Sequence, residues 1–319
     1  MAGILTAFYL QRSGVETIVL EAERVGSGQT GHTTAKVTAQ HGAVYDRLLG
    51  EIGEGRSAAY AEANRRAVEE YGRLIREERI VCGWRECSAY CYSTQNRERM
   101  EKEARAERQL GFASSFTLET ELPFPIEGAV KMEGQACFSP LRFLKALSEG
   151  LTVYENSRVL RVEKRTEGGT MLYTQEGCVQ AKRVVFATHF PLLKWPGYFF
   201  ARMHQERSYV LAVAGAGGME GMYIGVEEGG LSFRGLEGDG GDLILLGGCG
   251  HRTGGNEGGR YARLAAKAER FWPGCVERAR WSAQDCMSLD GVPYIGRFSQ
   301  GQPSWYVATG FGKWGMSHS

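Results

Sequence analysis

Residues 25–34 read VGSGQTGHTT, three glycines, three threonines and a serine within ten positions. Such residues do not build a core. They present hydroxyls and close-approaching backbone N–H groups to a ligand. Gly26 and Gly31 have the G-x-x-x-x-G spacing of a phosphate loop, and Thr33 takes its hydroxyl position. His32, however, stands where that loop needs lysine, and a neutral imidazole does not replace a fixed positive charge. A plain Gly/Thr surface turn is the competing reading. Further upstream, Gly3 opens a helical pattern that runs into TIVLE (17–21) and ends on Glu21. A glycine at a strand–helix turn with an acid about 20 residues on is part of a dinucleotide fingerprint, where the acid holds a ribose.

Other chemistries find little support. The eight cysteines (Cys82, Cys87, Cys91, Cys137, Cys178, Cys249, Cys275 and Cys286) form no C-x-x-C and no zinc spacing, and they read as scattered reduced thiols. Cys249-Gly250-His251 has no matching C-x-x-H, so no metal site is expected. No catalytic triad is visible. With 38 basic and 37 acidic residues the net charge is +1, which gives no reason to expect a nucleic-acid partner. No apolar run reaches the roughly 18 residues of a membrane span. The opening MAGILTAFYL lacks a basic n-region and a cleavage pattern, so a cytoplasmic location is expected.

The elements that must position these residues follow from periodicity. AGILTAFYLQRSG (2–14) is helical and VETIVLE (15–21) a strand, the back half of a βαβ unit. Residues 56–79 and 97–111 are amphipathic or charged helices. FSPLRFLKAL (138–147) starts a helix with Ser139 as N-cap and Pro140 at N1. Residues 151–188 alternate as short strands around a Gly168-Gly169 turn, and RVVFAT (183–188) is a buried one. Glycine, at 44 residues, is about twice the usual ~7%. Around residues 209–248 it separates short apolar runs, which predicts an antiparallel sheet with glycine-rich turns. Residues 259–272 are another helix. The order implies a parallel-sheet domain interrupted by an antiparallel one, a mixed α/β fold.

Four further stretches, GHTTAKVTAQHG (31–42), RVVFATHFP (183–191), DGVPYIG (290–296) and YVATGFGKWGM (306–316), resemble the D-amino-acid-oxidase-like family of FAD-dependent oxidoreductases. The chain looks most like the bacterial branch whose members often carry a Rieske iron–sulfur domain after the flavoprotein part. The resemblance implies a Rossmann-like FAD-binding domain (1–50, 135–199 and 271–319) interleaved with a substrate domain (51–134 and 200–270). It implies FAD as cofactor, with the 25–34 loop lying along it. Gly3, Glu21, Ala22, Arg24, Thr33, Thr34, Val159 and Thr188 would contact the cofactor. So would Gly310, Phe311, Gly312, Trp314 and Gly315, at a strand–helix junction whose N–H groups face the flavin. Lys313 would stabilise negative charge on reduced flavin, and His41, at the end of the loop, would lie near the reaction. Tyr209, Tyr223 and Trp281 would wall a substrate pocket.

Three departures from the family qualify this. Its first strand and pyrophosphate glycines fall before Met1, and its last flavin-contacting helix begins where the chain stops at Ser319. The chain therefore reads as a fragment at both ends. Amino-acid-oxidising members carry Arg-Pro shortly before the DG of DGVPYIG, and the arginine clamps the substrate carboxylate. Here Asp285-Cys286 stands there, which favours a substrate with an exposed cationic group or a different substrate pose. The expected function is oxidation of a C–N bond in an amine or amino acid by hydride transfer to the flavin. Oxygen or an absent Rieske domain would accept the electrons. The alternatives are a non-catalytic remnant that binds no FAD, and a P-loop-like nucleotide-binding protein.

Overall fold

The computed structural model describes residues 1–165, 168–237, 241–255 and 258–319. The helix Ala2–Arg12 forms as the sequence predicts and buries Ile4, Leu5 and Ala7. It leads into the strand Ile18–Leu20, which pairs in parallel with Thr152–Tyr154. A second parallel pair, Val184–Phe186 with Gln302–Thr309, forms a separate small sheet with Tyr294–Ser299. Beneath it Phe186, Phe298, Trp305 and Val307 pack together. Trp305 Nε1 donates to Thr170 Oγ1 (2.7 Å), which ties this sheet to the antiparallel three-stranded sheet of residues 161–181. The helix Ala2–Arg12 lies close to this region, since a Cβ on Gly3 would sit 3.6 Å from that of Ala187.

The largest unit is a nine-stranded sheet. Its order is Val276–Ser288, Met203–Ala214, Leu243–Arg252, Ser232–Leu236, Met222–Gly225, Arg85–Ser93, Gly128–Cys137 and Lys36–Val37, and Ser114–Thr117 also pairs with Gly128–Cys137. The expected glycine-rich antiparallel strands are its centre, but the sheet is mixed. Met222–Gly225 runs parallel to Arg85–Ser93. The strand Val276–Ser288 is a long edge strand, antiparallel to Met203–Ala214. It thus joins part of the 271–319 segment to the sheet formed largely by residues 203–252.

The helix Glu54–Glu77 buries Ala61, Val68, Tyr71, Leu74 and Ile75 on one face. Its other face carries i,i+4 ion pairs such as Arg65–Glu69 (2.7 Å) and Arg73–Glu77 (2.6 Å). The helix Pro140–Ser148 begins with Pro140 in the first turn as expected, yet the Ser139 side chain makes no capping bond. One helix, Tyr45–Ile52, is absent from the sequence reading. Its first N–H groups are capped from a distance: Tyr45 N and Asp46 N donate to Glu103 Oε1 and Oε2 (2.8 and 3.0 Å).

Next to Glu103 on the helix Arg97–Gln109 lies Glu107, wholly buried. Gln40 Nε2 bridges it, donating to Glu107 Oε1 (3.1 Å) and to the Val130 carbonyl (3.0 Å). Burial, and then the charge of Glu103, pushes the Glu107 carboxyl up to about 8. Between the ordinary carboxyl range and about pH 8 the folded protein therefore holds a proton that the unfolded chain has lost. Stability falls as pH rises through this window, by at most about 1.4 kcal/mol per pH unit. Glu107→Gln keeps the shape and removes the titration. Thermal unfolding should show a smaller loss of Tm between pH 6 and pH 8 in the variant than in the parent.

Candidate functional site

The 25–34 loop folds into a short 3₁₀ turn, Gln29–His32, and enters the sheet at Lys36. Two glycines make this possible. Gly26 has a positive φ of 84°, and a Cβ on Gly31 would collide with the Gly26 carbonyl. Met1 N donates to Thr30 Oγ1 (3.0 Å), which sets the loop beside the start of the first helix.

One face of the large sheet grips the other side of the loop. Trp281 Nε1 donates to the His32 carbonyl (2.9 Å). Arg234, 5% exposed, donates through Nη1 to the Thr34 carbonyl and through Nη2 to that of Phe138 (3.4 Å). Lys36 Nζ donates to Ser232 Oγ. Desolvation, and then the Arg234 charge, brings the Lys36 amine down to about 7. The strand period of two explains which residues share this face. Val210, Ala212, Leu245 and Trp281 pack together, as do Ala89, Cys137 and Met222, and Arg234 is registered between Met222 and Leu245.

The C-terminal glycines close the site. After the strand Gln302–Thr309 the chain turns at Gly310 and Gly312, with φ of 72° and 54°. Gly312 N donates to the Cys286 carbonyl (2.8 Å), and Phe311 bridges to Met287. Residues 311–318 form turns, with one i→i−4 bond from His318 N to Trp314 O (3.0 Å), so the expected junction with a helix is not seen here. Lys313 Nζ reaches Ser208 Oγ (2.8 Å), Asp285 Oδ2 (3.2 Å) and Glu206 Oε2 (3.7 Å). Asp285 is thus ion-paired, and its charge does not stand alone.

The remaining candidates are placed as follows. His41 is buried and stacked on Trp314, with ring centroids 4.9 Å apart. Its Nδ1 meets Tyr60 Oη (2.6 Å), and its Nε2 meets the Thr38 carbonyl (3.0 Å) and Ser317 Oγ (2.8 Å). Burial, and then His318, hold it neutral well below the usual imidazole range. His41 thus fastens the loop's end to the C-terminal turns. Glu21 ends its strand with Oε1 accepting from Glu23 N (3.0 Å). Ala22 is half-buried and Arg24 exposed. Thr33 Oγ1 accepts from Ala35 N (3.0 Å), and Thr188 Oγ1 donates to Phe190 O (2.8 Å). Val159 packs against the cluster around Val184 and Phe186. Tyr209 and Tyr223 do not meet Trp281. They point to the opposite face of the sheet, toward Leu211, Phe233 and Leu264. Tyr209 Oη pairs with His251 Nε2 (3.1 Å), and Tyr223 stacks on Tyr90 and donates to Glu121 (2.8 Å). Arg234, Ser232, Ser208 and Glu206 escaped the sequence reading, because each is joined to the site by strand pairing and none belongs to a local motif.

Residues 1–319 match the family described as FAD dependent oxidoreductase (DAO). The chain belongs to that family. A Bacillus subtilis (strain 168) protein named as a Rieske 2Fe-2S iron-sulfur protein, YhfW, is 33% identical over 329 residues, covering all of this chain. The chain spans 64% of that relative's length. Among solved structures, glycine oxidase from Geobacillus kaustophilus superposes with a TM-score of 0.80 at 18% identity, covering 99% of this chain and 88% of the other. L-proline dehydrogenase from P. horikoshii gives 0.77 at 15% identity, covering 99% and 86%. These structures share the fold. Among the described residues no helix is long and apolar enough to cross a membrane, and no cluster of three or more metal-ligating side chains forms.

FAD is the family's cofactor, and the residues present fit it. The helix Ala2–Arg12 has no side-chain cap and no acid in its first turn, so its N–H groups suit a phosphate. Glu21, whose Oε1 accepts from Glu23 N, would offer its other oxygen to a ribose hydroxyl. Gly28 and Gly315 have open space where a side chain would stand, whereas Gly310 lies against Met203, Ser288 and Tyr294 and Gly312 against Met287 and Trp314. Trp281→Phe removes one bond that positions the loop, worth about 1 kcal/mol. Titration of the protein with FAD, followed by flavin fluorescence, should show affinity weakened about fivefold. Unchanged affinity would mean that the Trp281 bond does not hold the loop in its binding form.

Proposed function

We propose that this chain is the flavin-bearing part of an enzyme that oxidises a C–N bond in an amine or amino acid. We take the large sheet as its substrate-binding part and the remaining, smaller sheets with the first helix as its FAD-binding part. Bound FAD supplies the acceptor for a hydride leaving the carbon next to nitrogen. The protein's own residues orient the substrate, exclude water and set the charge.

The observation that carries this reading is the Lys313–Asp285–Glu206 group, set beside the loop and the C-terminal glycines. One positive charge faces two negative ones, so the group keeps a negative surplus that attracts an ammonium. Lys313 offsets part of the charge at Asp285, so the acid repels a substrate carboxylate less than its sequence position implies.

The name of the Bacillus subtilis relative favours a second feature of the same reading, in which electrons leave through an iron–sulfur partner and not to oxygen. Anaerobic mixing with a panel of amines and amino acids tests the reaction class. Loss of the bound-flavin band with at least one of them is expected; no bleaching with any, alongside bleaching by 2-hydroxy acids, would overturn the C–N assignment. For a cationic substrate so found, Asp285→Asn should lower kcat/KM about tenfold or more, while FAD affinity stays within about threefold. Equal losses in both would make Asp285 a cofactor anchor only.

A further inference from the structure

On the face of the large sheet that grips the loop, two cations stand without an anion. Ser232 and Arg234 are alternate residues of one strand, so their side chains share this face. Lys36 Nζ donates to Ser232 Oγ, which sets the amine beside the guanidinium, and the Arg234 charge acts on it. Arg234 directs Nη1 and Nη2 to the Thr34 and Phe138 carbonyls. Its Nε has no hydrogen-bond partner, although the residue is nearly fully buried. Neither cation forms an ion pair among the described residues. The other groups that act on Lys36 are the thiols of Cys87 and Cys137, and Arg85 on the same strand as Cys87 is already paired with Glu220 (3.3 Å). Two desolvated cations with no carboxylate between them leave a charge that a bound anion would neutralise.

Lys36 follows the cofactor loop directly and is half-buried, so an anion reaches its amine from the loop side while Arg234 stays closed in. We infer that Lys36 and Arg234 form a subsite for the carboxylate of the substrate. The inference rests on the C–N reading above and narrows it. Val210 and Ser232 both register against Gly247, so their strands lie two apart, about 9–10 Å. Ser208, which accepts from Lys313, stands one same-face step beyond Val210, and this puts the two serines about 12 Å apart. An ammonium held at Asp285 and Glu206 and a carboxylate held at Lys36 and Arg234 therefore belong to the two ends of one extended molecule. The substrate class is an amino acid whose amine and carboxylate are separated by several carbons. A compact α-amino acid or a plain amine reaches only one end.

Isothermal titration calorimetry of the whole chain, with FAD at saturation and ionic strength fixed, tests this with 8-aminooctanoate and its neutral amide. The acid should bind about tenfold tighter than the amide or better. Lys36→Met should bring the acid to within about threefold of the amide. Arg234→Lys keeps a charge but loses the fork, and it should weaken the acid about fivefold or more. Circular dichroism reports that both variants are folded. Equal binding of acid and amide, no binding of either, an undiminished preference in Lys36→Met, or glycine binding as tightly as 8-aminooctanoate would each overturn the proposal. The readout is binding without turnover, so it fails separately from the C–N reading. A preference for the acid with no bleaching by any amine would sink that reading and leave the subsite, whereas bleaching by octylamine and 8-aminooctanoate with equal kcat/KM would do the reverse.

Discussion

Ordering a loop costs about 1–2 kcal/mol of backbone entropy per residue, and more for glycine. The 25–34 loop has little apolar surface with which to offset that cost. What holds it is a set of polar bonds from the large sheet, above all from Arg234 to the Thr34 and Phe138 carbonyls, with Trp281 on the His32 carbonyl and Lys36 on Ser232. Arg234 is nearly fully buried, and its Nε has no hydrogen-bond partner in the structure. A buried guanidinium carries a heavy desolvation penalty that its carbonyl contacts only partly offset. The sheet therefore keeps a cation at this place at a cost in stability, and the end of the 25–34 loop and the Phe138 carbonyl are fixed by it.

The two faces of the sheet divide the labour. Odd-numbered positions of Met203–Ala214, such as Tyr209, Leu211 and Val213, pack under the helix Arg260–Phe271 and its neighbours. Even-numbered ones, such as Ser208, Val210 and Ala212, face the loop and Trp281. A one-residue slip in register would exchange the two sets. This alternation puts Lys313 beside Ser208 and leaves Tyr209 on the far side with His251 and Tyr261. At the other end of the loop, His41, Tyr60, Ser317 and Trp314 make a buried polar and aromatic knot that joins residues 38–41 to the last turns of the chain.

Local signals made much of the fold legible. The helix Ala2–Arg12, the amphipathic helix Glu54–Glu77, the Pro140 start and the glycine-separated strands all follow from periodicity and turn chemistry. The family was legible from short stretches that carry its cofactor loop and its C-terminal glycines. Partners that meet only through strand pairing were not. Arg234 stands 200 residues from Thr34, and Ser232 stands 196 from Lys36. The helix Tyr45–Ile52 depends on a cap from Glu103, 58 residues away. Residue type alone groups Tyr209, Tyr223 and Trp281, and only the register shows which of them share a face. In the sequence Asp285 is a bare acid, because the lysine that pairs with it lies 28 residues on.

The claim on which the rest turns is that the loop held by Arg234, Trp281 and Lys36 lies against FAD. Amide hydrogen exchange with and without added FAD tests it most directly. Binding at this loop should slow exchange in peptides covering residues 26–42 and 310–315, with little change in the helix Arg260–Phe271 on the opposite face of the sheet. Protection confined to that far face, or no protection at saturating FAD, would contradict it.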